Sequence, residues 1–140
     1  MFIGEYAHTI DEKNRLAVPI KFRKELDKGA IVTKGLEGCL FLYTLTEWQK
    51  LADKITQMPI SQKAPRAFSR FILGGAMDVE IDKQGRIILP KYLIDFAKIK
   101  RNVIVAGLSN RLEIWDARAW EVYKKATEKD SEALAEQLFI

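Results

Sequence analysis

Residues 10–16 read Ile10-Asp11-Glu12-Lys13-Asn14-Arg15-Leu16, and the chain repeats the pattern 71 residues later as Ile81-Asp82-Lys83-Gln84-Gly85-Arg86-Ile87. In both copies an aliphatic residue precedes Asp, and an Arg four positions later leads back into an aliphatic run. This pattern predicts a tight turn between two strands. The fourth turn position holds Asn14 or Gly85, the residue types that best accept a positive φ. We call the two segments tip 1 (residues 11–15) and tip 2 (residues 82–86).

The Asp that opens each tip suits a turn, because its carboxylate can accept hydrogen bonds from the amides that follow it. Asp11 and Asp82 also stand four residues before Arg15 and Arg86, so each can form an ion pair with its own Arg. In one interpretation the ion pair only stabilises the turn. In the other, the Asp also orients the Arg so that it can bind a ligand. The tip residues by themselves leave both interpretations open.

The similarity between the two halves extends well beyond the tips. Each half reads as strand, tip, strand, Pro, short helix, hairpin and helix, which indicates an internal duplication. The matching segments are residues 15–19 with 86–90, 31–36 with 103–108, and 40–43 with 112–115. We therefore predict a first repeat over residues 1–57, a linker and short helix over residues 58–75, and a second repeat with a C-terminal helix over residues 76–140.

Two helices are predicted in more detail. Trp48, Leu51 and Ile55 recur at helical spacing, and Thr46 is the expected N-cap of a helix that runs to about Gln57. The last helix is expected to run without interruption from about Asp116 into the acidic C-terminal segment.

The composition is that of a soluble globular protein, with 48% hydrophobic and 30% charged residues among 140. Halves of about 70 residues bury too little surface to be stable alone, so we expect them to pack together or to oligomerise. The net charge is +4 and the pI is about 9.2. A mild basic surplus is compatible with nucleic-acid binding, although many protein surfaces share it.

Several classes of function find no support in the sequence. One His (His8) and one Cys (Cys39) cannot supply the usual zinc ligands, and Cys39 in its apolar run is expected to be a buried thiol. There is no phosphate-binding Gly-rich loop and no nucleophile elbow. The Arg that follows Asp11 and Asp82 favours ionised carboxylates rather than the raised pKa of an acid catalyst. We therefore expect neither an enzyme nor a cofactor, and, without an apolar span or secretion signal, a cytoplasmic protein.

The tips can present Arg to DNA. An Arg guanidinium is a rigid fork of donors that matches guanine edges and phosphates, and a two-stranded hairpin fits the major groove. Lys13 and Lys83 add a second cation to each tip, and Gln84 adds an amide that can read a base. The candidate DNA-binding residues are Asp11, Lys13, Asn14, Arg15, Asp82, Lys83, Gln84 and Arg86, and the possible phosphate contacts on the short helices are Lys21, Arg23, Lys24 and Lys91.

The whole chain resembles the MraZ family of the AbrB-like swapped-hairpin superfamily. The resemblance rests on the doubled Asp-x-x-x-Arg tip, on the apolar strand and Pro that follow each tip (Pro19 and Pro90), and on the Gly74-Gly75-Ala76 segment before the second copy. It implies an α+β fold: a duplicated AbrB-like swapped-hairpin β-barrel, a pseudo-dimer in one chain, with flanking helices. The motif residues of the family correspond to Asp11, Arg15, Asp82 and Arg86.

The resemblance also implies a function. Members of the family are bacterial transcriptional regulators, usually repressors, that bind short direct repeats in the promoter of their own division and cell-wall gene cluster. It implies a ring-shaped homo-oligomer, typically an octamer, with double-stranded DNA as partner and a place at the nucleoid.

The alternative is a protein-interaction module that does not bind DNA, because swapped-hairpin proteins also serve as antitoxins. Antitoxins of this kind bind their partners through a disordered tail, whereas residues 128–140 read as helical, with Leu134 and Leu138 able to pack. Salt-dependent binding of the pure protein to promoter DNA would separate the two functions.

Overall fold

The computed structural model describes residues 1–140. Six of its eight strands form one antiparallel sheet, and the other two form a separate ribbon. The sheet has the order β1-β7-β8-β4-β3-β5, and the ribbon pairs β2 with β6. The elements are β1 (Phe2–Thr9), β2 (Arg15–Ala17), β3 (Ala30–Lys34), β4 (Leu40–Thr44), α1 (Leu45–Thr56), α2 (Lys63–Ile72), β5 (Met77–Val79), β6 (Arg86–Ile88), α3 (Lys91–Phe96), β7 (Asn102–Ser109), β8 (Leu112–Asp116), α4 (Ala117–Lys129) and α5 (Ser131–Gln137), with two 3₁₀ turns at Ile20–Phe22 and Lys24–Leu26.

The two halves exchange strands. The first strand of each half pairs with the other half, so β1 lies beside β7 and β5 lies beside β3. On the ribbon, Leu16 pairs with Ile87, its own equivalent in the second repeat. In the sheet, Phe41 pairs with Glu113, again its equivalent. A pseudo-twofold axis therefore passes through both pairs, which confirms the duplicated swapped-hairpin α+β fold.

The turns form at the predicted places, but the strands that flank them do not make ordinary hairpins. Tip 1 joins β1 to β2, and these strands share only one bridge, between Ile10 and Leu16. The edges of both strands are taken by strands of the other half. Beyond the ribbon, the Val18 amide donates to the Gly85 carbonyl and the Leu89 amide donates to the Asn14 carbonyl, both at 2.9 Å. Each return strand is thus bonded to the opposite tip.

The main core lies between the ribbon and one face of the sheet. It contains 20 buried residues, among them Leu16 and Ile87 from the ribbon and Leu42 and Val105 from the sheet. A second, smaller cluster covers the other face of β4 and β8, where α1 and α4 pack. The members of this second cluster are Cys39, Phe41, Tyr43 and Trp115, with Trp48, Leu51 and Trp120 packed against them.

Two expectations for the helices are wrong in detail. Thr44, not Thr46, caps α1: its Oγ1 accepts a hydrogen bond of 3.2 Å from the Glu47 amide. The strand β4 leads directly into α1, so the last extended residue occupies the N-cap position. The C-terminal helix is not continuous, because it divides at Asp130 into α4 and α5.

The fourth tip position supplies a stability prediction. Asn14 has φ 62° and Gly85 has φ 79°, both in the left-handed region. We expect Asn14→Ala to lower the free energy of unfolding by about 1 kcal/mol, since a Cβ without a local polar partner is strained there. Asn14→Gly should stay close to wild type. Urea denaturation at one protein concentration measures both, and equal stability of the Ala and Gly variants would contradict the requirement for a left-handed residue.

Candidate nucleic-acid interface

In tip 1, a single carboxylate organises the turn and its Arg. Asp11 Oδ1 accepts hydrogen bonds from the amides of Lys13 and Arg15, both at 2.9 Å. Asp11 Oδ2 accepts a third from Arg15 Nε at 2.7 Å. The backbone closes the same turn, because the Asp11 amide donates to the Arg15 carbonyl and the Asn14 amide donates to the Asp11 carbonyl, both at 3.0 Å.

Tip 2 has the same set of bonds. Asp82 Oδ1 accepts from the amides of Gln84 and Arg86 at 2.9 Å, and Asp82 Oδ2 accepts from Arg86 Nε at 3.0 Å. In both tips the Arg is held through Nε alone, so its two terminal nitrogens have no protein partner. The geometry thus closes the turn and orients the Arg at the same time, leaving the outer fork available to a ligand.

The hydrogen bonds keep both carboxylates ionised. The pKa of Asp11 lies below its ordinary value, chiefly because the Arg15 amide donates to it, with further contributions from the Arg15 side chain and the Lys13 amide. The pKa of Asp82 is lowered in the same way, first by the Arg86 amide and then by the Gln84 amide. Each tip is therefore a fixed ion pair with a partly exposed guanidinium.

The ribbon brings the two Arg residues onto one surface. Leu16 and Ile87 face the core, so the alternate residues of β2 and β6 face outward. Arg15 lies opposite Ile88, and Arg86 lies opposite Ala17. This register separates the Cα atoms of Arg15 and Arg86 by two residues along a strand and one strand across, about 8 Å. Residues that are 71 positions apart in sequence therefore lie on one surface.

The other candidate residues differ in their exposure and contacts. Lys13, Lys83, Gln84 and Lys24 are exposed. The Lys21 ammonium lies 5.6 Å from the centre of the Tyr6 ring, and Lys91 Nζ lies 2.8 Å from an oxygen of Asp95. These positions leave the ammonium groups accessible to phosphates.

Arg23 differs from the other candidates because it is half-buried. Its Nε donates to the Val18 carbonyl at 2.9 Å, and its guanidinium lies against Gly85 of tip 2. A Cβ at position 85 would collide with it. The equivalent of Arg23 in the second half is Ile94, so only tip 2 has this neighbour. Arg23 supports tip 2 whether or not it also meets a phosphate.

Two further residues at this surface were not predicted from the sequence. Ile88 is 61% exposed on the ribbon beside Arg15. Strand alternation places residues 86 and 88 on the same face, so a signal for Ile88 was present. Arg101 borders tip 1, where its carbonyl accepts from the Ile10 amide at 2.9 Å and it lines a shallow pocket with Asp11 and Arg15. No local pattern could have revealed Arg101, because it reaches tip 1 only through the pairing of β1 with β7.

Two groups were considered for other chemistry, Cys39 and His8, and Cys39 lies in the second cluster on the face of the sheet opposite the ribbon. Cys39 is buried, its Sγ donates to the Leu36 carbonyl at 3.2 Å, and burial raises its pKa. The pKa of His8 is lowered by its partial burial and by the positive charge of Arg23. No three His, Cys, Asp or Glu side chains are grouped so as to hold a metal ion. None of the helices has the length and apolar character needed to cross a membrane.

Comparisons with known proteins agree with the duplicated geometry. The family model described as "MraZ protein, putative antitoxin-like" matches the chain twice, over residues 1–71 and 72–140. The chain is 48% identical to the transcriptional regulator MraZ of Caldanaerobacter subterraneus subsp. tengcongensis over 138 residues, which covers 99% of this chain and 96% of the relative. It is 46% identical to that of Natranaerobius thermophilus and 45% identical to that of Pediococcus pentosaceus, with the same coverage.

The carboxylate bonds predict how the tips titrate. The folded-state pKa of Asp11 and Asp82 lies below the ordinary 3.8, so their contribution to stability is present above about pH 4 and is lost as the pH falls through the folded pKa. In Arg15→Ala the pKa of Asp11 should rise only in part, since its largest cause is the backbone amide of residue 15. Carboxyl ¹³C NMR measures both values, with Arg86→Ala as the control that leaves Asp11 unchanged. Full return of Asp11 to 3.8 in Arg15→Ala would show that the turn depends on the guanidinium.

Proposed function

The chain belongs to the MraZ family of transcriptional regulators, and we propose that it binds DNA sequence-specifically through both tips. Membership of a family of regulators also agrees with the expectation that the chain is not an enzyme. The observation that carries the proposal is the exposed ribbon face, on which Arg15 and Arg86 stand side by side with their terminal nitrogens free.

The ribbon face suits the major groove. The groove is about 12 Å wide and admits a two-stranded β-ribbon, and Arg bonds bidentately to O6 and N7 of guanine. Because Asp11 and Asp82 already fix Arg15 and Arg86, less side-chain entropy is lost on binding. Ile88 lies opposite Arg15 on the same exposed face and offers an apolar contact to a thymine methyl group.

Cations around the tips would bind the phosphates on either side. Lys13 and Lys83 extend each tip, and Arg101 borders tip 1. The ion pair of Lys91 with Asp95 is exposed, so it contributes little and can be given up for a phosphate. Lys21, Arg23 and Lys24 extend the same contacts from the 3₁₀ turns.

One ribbon reads only a few base pairs, so we infer that the protein acts as an array. A homo-oligomeric ring, typically an octamer in this family, would present several ribbons to a series of short direct repeats. Tethering turns each further contact into an intramolecular event and raises avidity by about 10² or more. In the cytoplasm, at the nucleoid, such an array would repress the promoter of its own division and cell-wall gene cluster.

Replacing the tip Arg residues tests the interface. We expect Arg15→Ala and Arg86→Ala to stay folded and to weaken binding to DNA from upstream of the gene by about 1–3 kcal/mol for each base that the guanidinium would have bound. Lys21→Ala should weaken binding to all sequences about equally. Footprinting and titrations between about 50 and 200 mM salt measure these effects, and wild-type affinity should fall steeply over that range. Salt-independent binding, or no binding, would instead favour the protein-interaction alternative.

The array predicts a dependence on the number of repeats in the DNA. The repeats should be spaced near one helical turn, so that successive ribbons meet the same side of the duplex. Binding to sites with one, two and three repeats, combined with light scattering on the free protein, checks this. Deletion of one repeat should reduce affinity far more than a single ribbon contact would. A monomer that binds one repeat as tightly as three would rule out the array.

A further inference from the structure

An apolar groove lies on the surface of the second half, away from the ribbon. It has a volume of about 780 Å³ and runs between α4 and the segment that follows α3. Its apolar wall includes Trp115, Ala119, Val122, Tyr123 and Ala126. Val122 is 65% exposed and Tyr123 is 42% exposed, so nothing in the same chain covers them. Contiguous exposed apolar surface of this kind marks an interaction site.

The first half has a groove along the equivalent helix, α1, with different side chains. Tyr43, Glu47, Lys50, Leu51 and Lys54 line it, and each stands 72 residues before its equivalent in the second half. Three of the five positions are charged in the first half, where the second half has Ala119, Val122 and Ala126. The duplicated fold places both grooves along equivalent helices, α1 and α4, and only the second is also lined by the segment that follows α3. The side chains of the first groove therefore suit contact with water, and those of the second suit contact with a partner.

Residues 131–140 have the complementary character. None of the residues of α5 is buried, and the three residues that follow it in the chain are 67%, 96% and 92% exposed (Leu138, Phe139 and Ile140). The segment also carries acids, Glu132 and Glu136, and follows two more, Glu128 and Asp130. The charged residues that line the second-half groove are three cations, Lys98, Lys100 and Arg118, and two acids, Glu37 and Asp116, so cations are in excess by one.

We propose that residues 131–140 of a second copy of the chain dock into this groove. Leu138, Phe139 and Ile140 would cover its apolar wall, and Glu132 and Glu136 would face Lys98, Lys100 and Arg118. In the same chain none of residues 131–140 lines the groove. Helix α2 is also largely exposed, but it carries Lys63, Arg66 and Arg70 and no acid, so its charge does not complement the excess of cations in the groove.

The contact rests on the homo-oligomer proposed above and specifies how it forms. Segment and groove are different surfaces, so their contact is heterologous and either closes into a ring or extends as a filament. The contact lies apart from the ribbon, so its loss would leave each pair of tips intact.

The first test uses the duplicated groove as its own control. Val122→Glu places a charge in the second-half groove, and Lys50→Glu alters the equivalent position of the first-half groove. A tail variant replaces Leu138, Phe139 and Ile140 with Ser. We expect light scattering to show monomers for Val122→Glu and for the tail variant, and the wild-type mass for Lys50→Glu, with unchanged circular dichroism in all three.

The second test mixes the two defective variants. The tail variant retains an intact groove, and Val122→Glu retains an intact tail, so an equimolar mixture should form dimers and nothing larger. If both variants are monomeric but their mixture forms no dimer, the proposal is overturned. It is also overturned if the variants keep the wild-type mass. The second outcome leaves the homo-oligomer standing with a different interface, whereas a monomeric wild type would overturn both.

Discussion

Strand exchange across the pseudo-twofold axis is the constraint on which the rest of the structure depends. Each half pairs only two of its own strands, β3 with β4 or β7 with β8, and the remaining pairs cross between the halves: β1 with β7, β5 with β3, β4 with β8, and β2 with β6. In an isolated half, the first strand and the ribbon strand would have no partner strand, and the inner face of the ribbon strand would be exposed to water. Because the amides of Val18 and Leu89 bond to the opposite tips, the position of each tip is fixed by both halves. The spacing of Arg15 and Arg86 is thus a property of the whole fold.

Within that frame, the Asp–Arg pair serves the fold and the surface with the same atoms. One carboxylate oxygen holds two turn amides, and the other holds Nε of the Arg. A free Arg on a turn would sample many rotamers, and ordering it on a ligand would cost entropy. The structural and functional interpretations of Asp11 and Asp82 are therefore not alternatives, since an Arg that closes the turn through Nε also presents its remaining nitrogens outward.

The sequence was sufficient to predict the features of the tips that depend only on residues close together in the chain. Asn14 and Gly85 indicated left-handed turn positions, and Asp11 and Asp82 indicated carboxylates that accept turn amides. Strand partners were not decided locally, because alternation shows which face of a strand is buried and not which strand lies beside it. Arg101 was missed for that reason. The burial of Glu113 was also missed, because a charged residue in a strand is expected to be exposed. Glu113 is buried, and its carboxylate accepts hydrogen bonds from Arg111 and Trp115. The swapped pairing came only from the resemblance to a family.

Joining the two halves in one chain allows them to differ, which two identical subunits could not do. β1 pairs with β7 over eight residues, whereas β5 pairs with β3 over three. Arg23 supports tip 2, and Ile94 takes the equivalent place in the other half. The two grooves also differ: of five equivalent positions, three are charged in the first groove and none is charged in the second. A dimer of identical halves would carry two equal grooves related by its twofold axis. A duplicated chain with one apolar groove and one acidic C-terminal segment has a direction, and a directional contact is what a head-to-tail assembly requires.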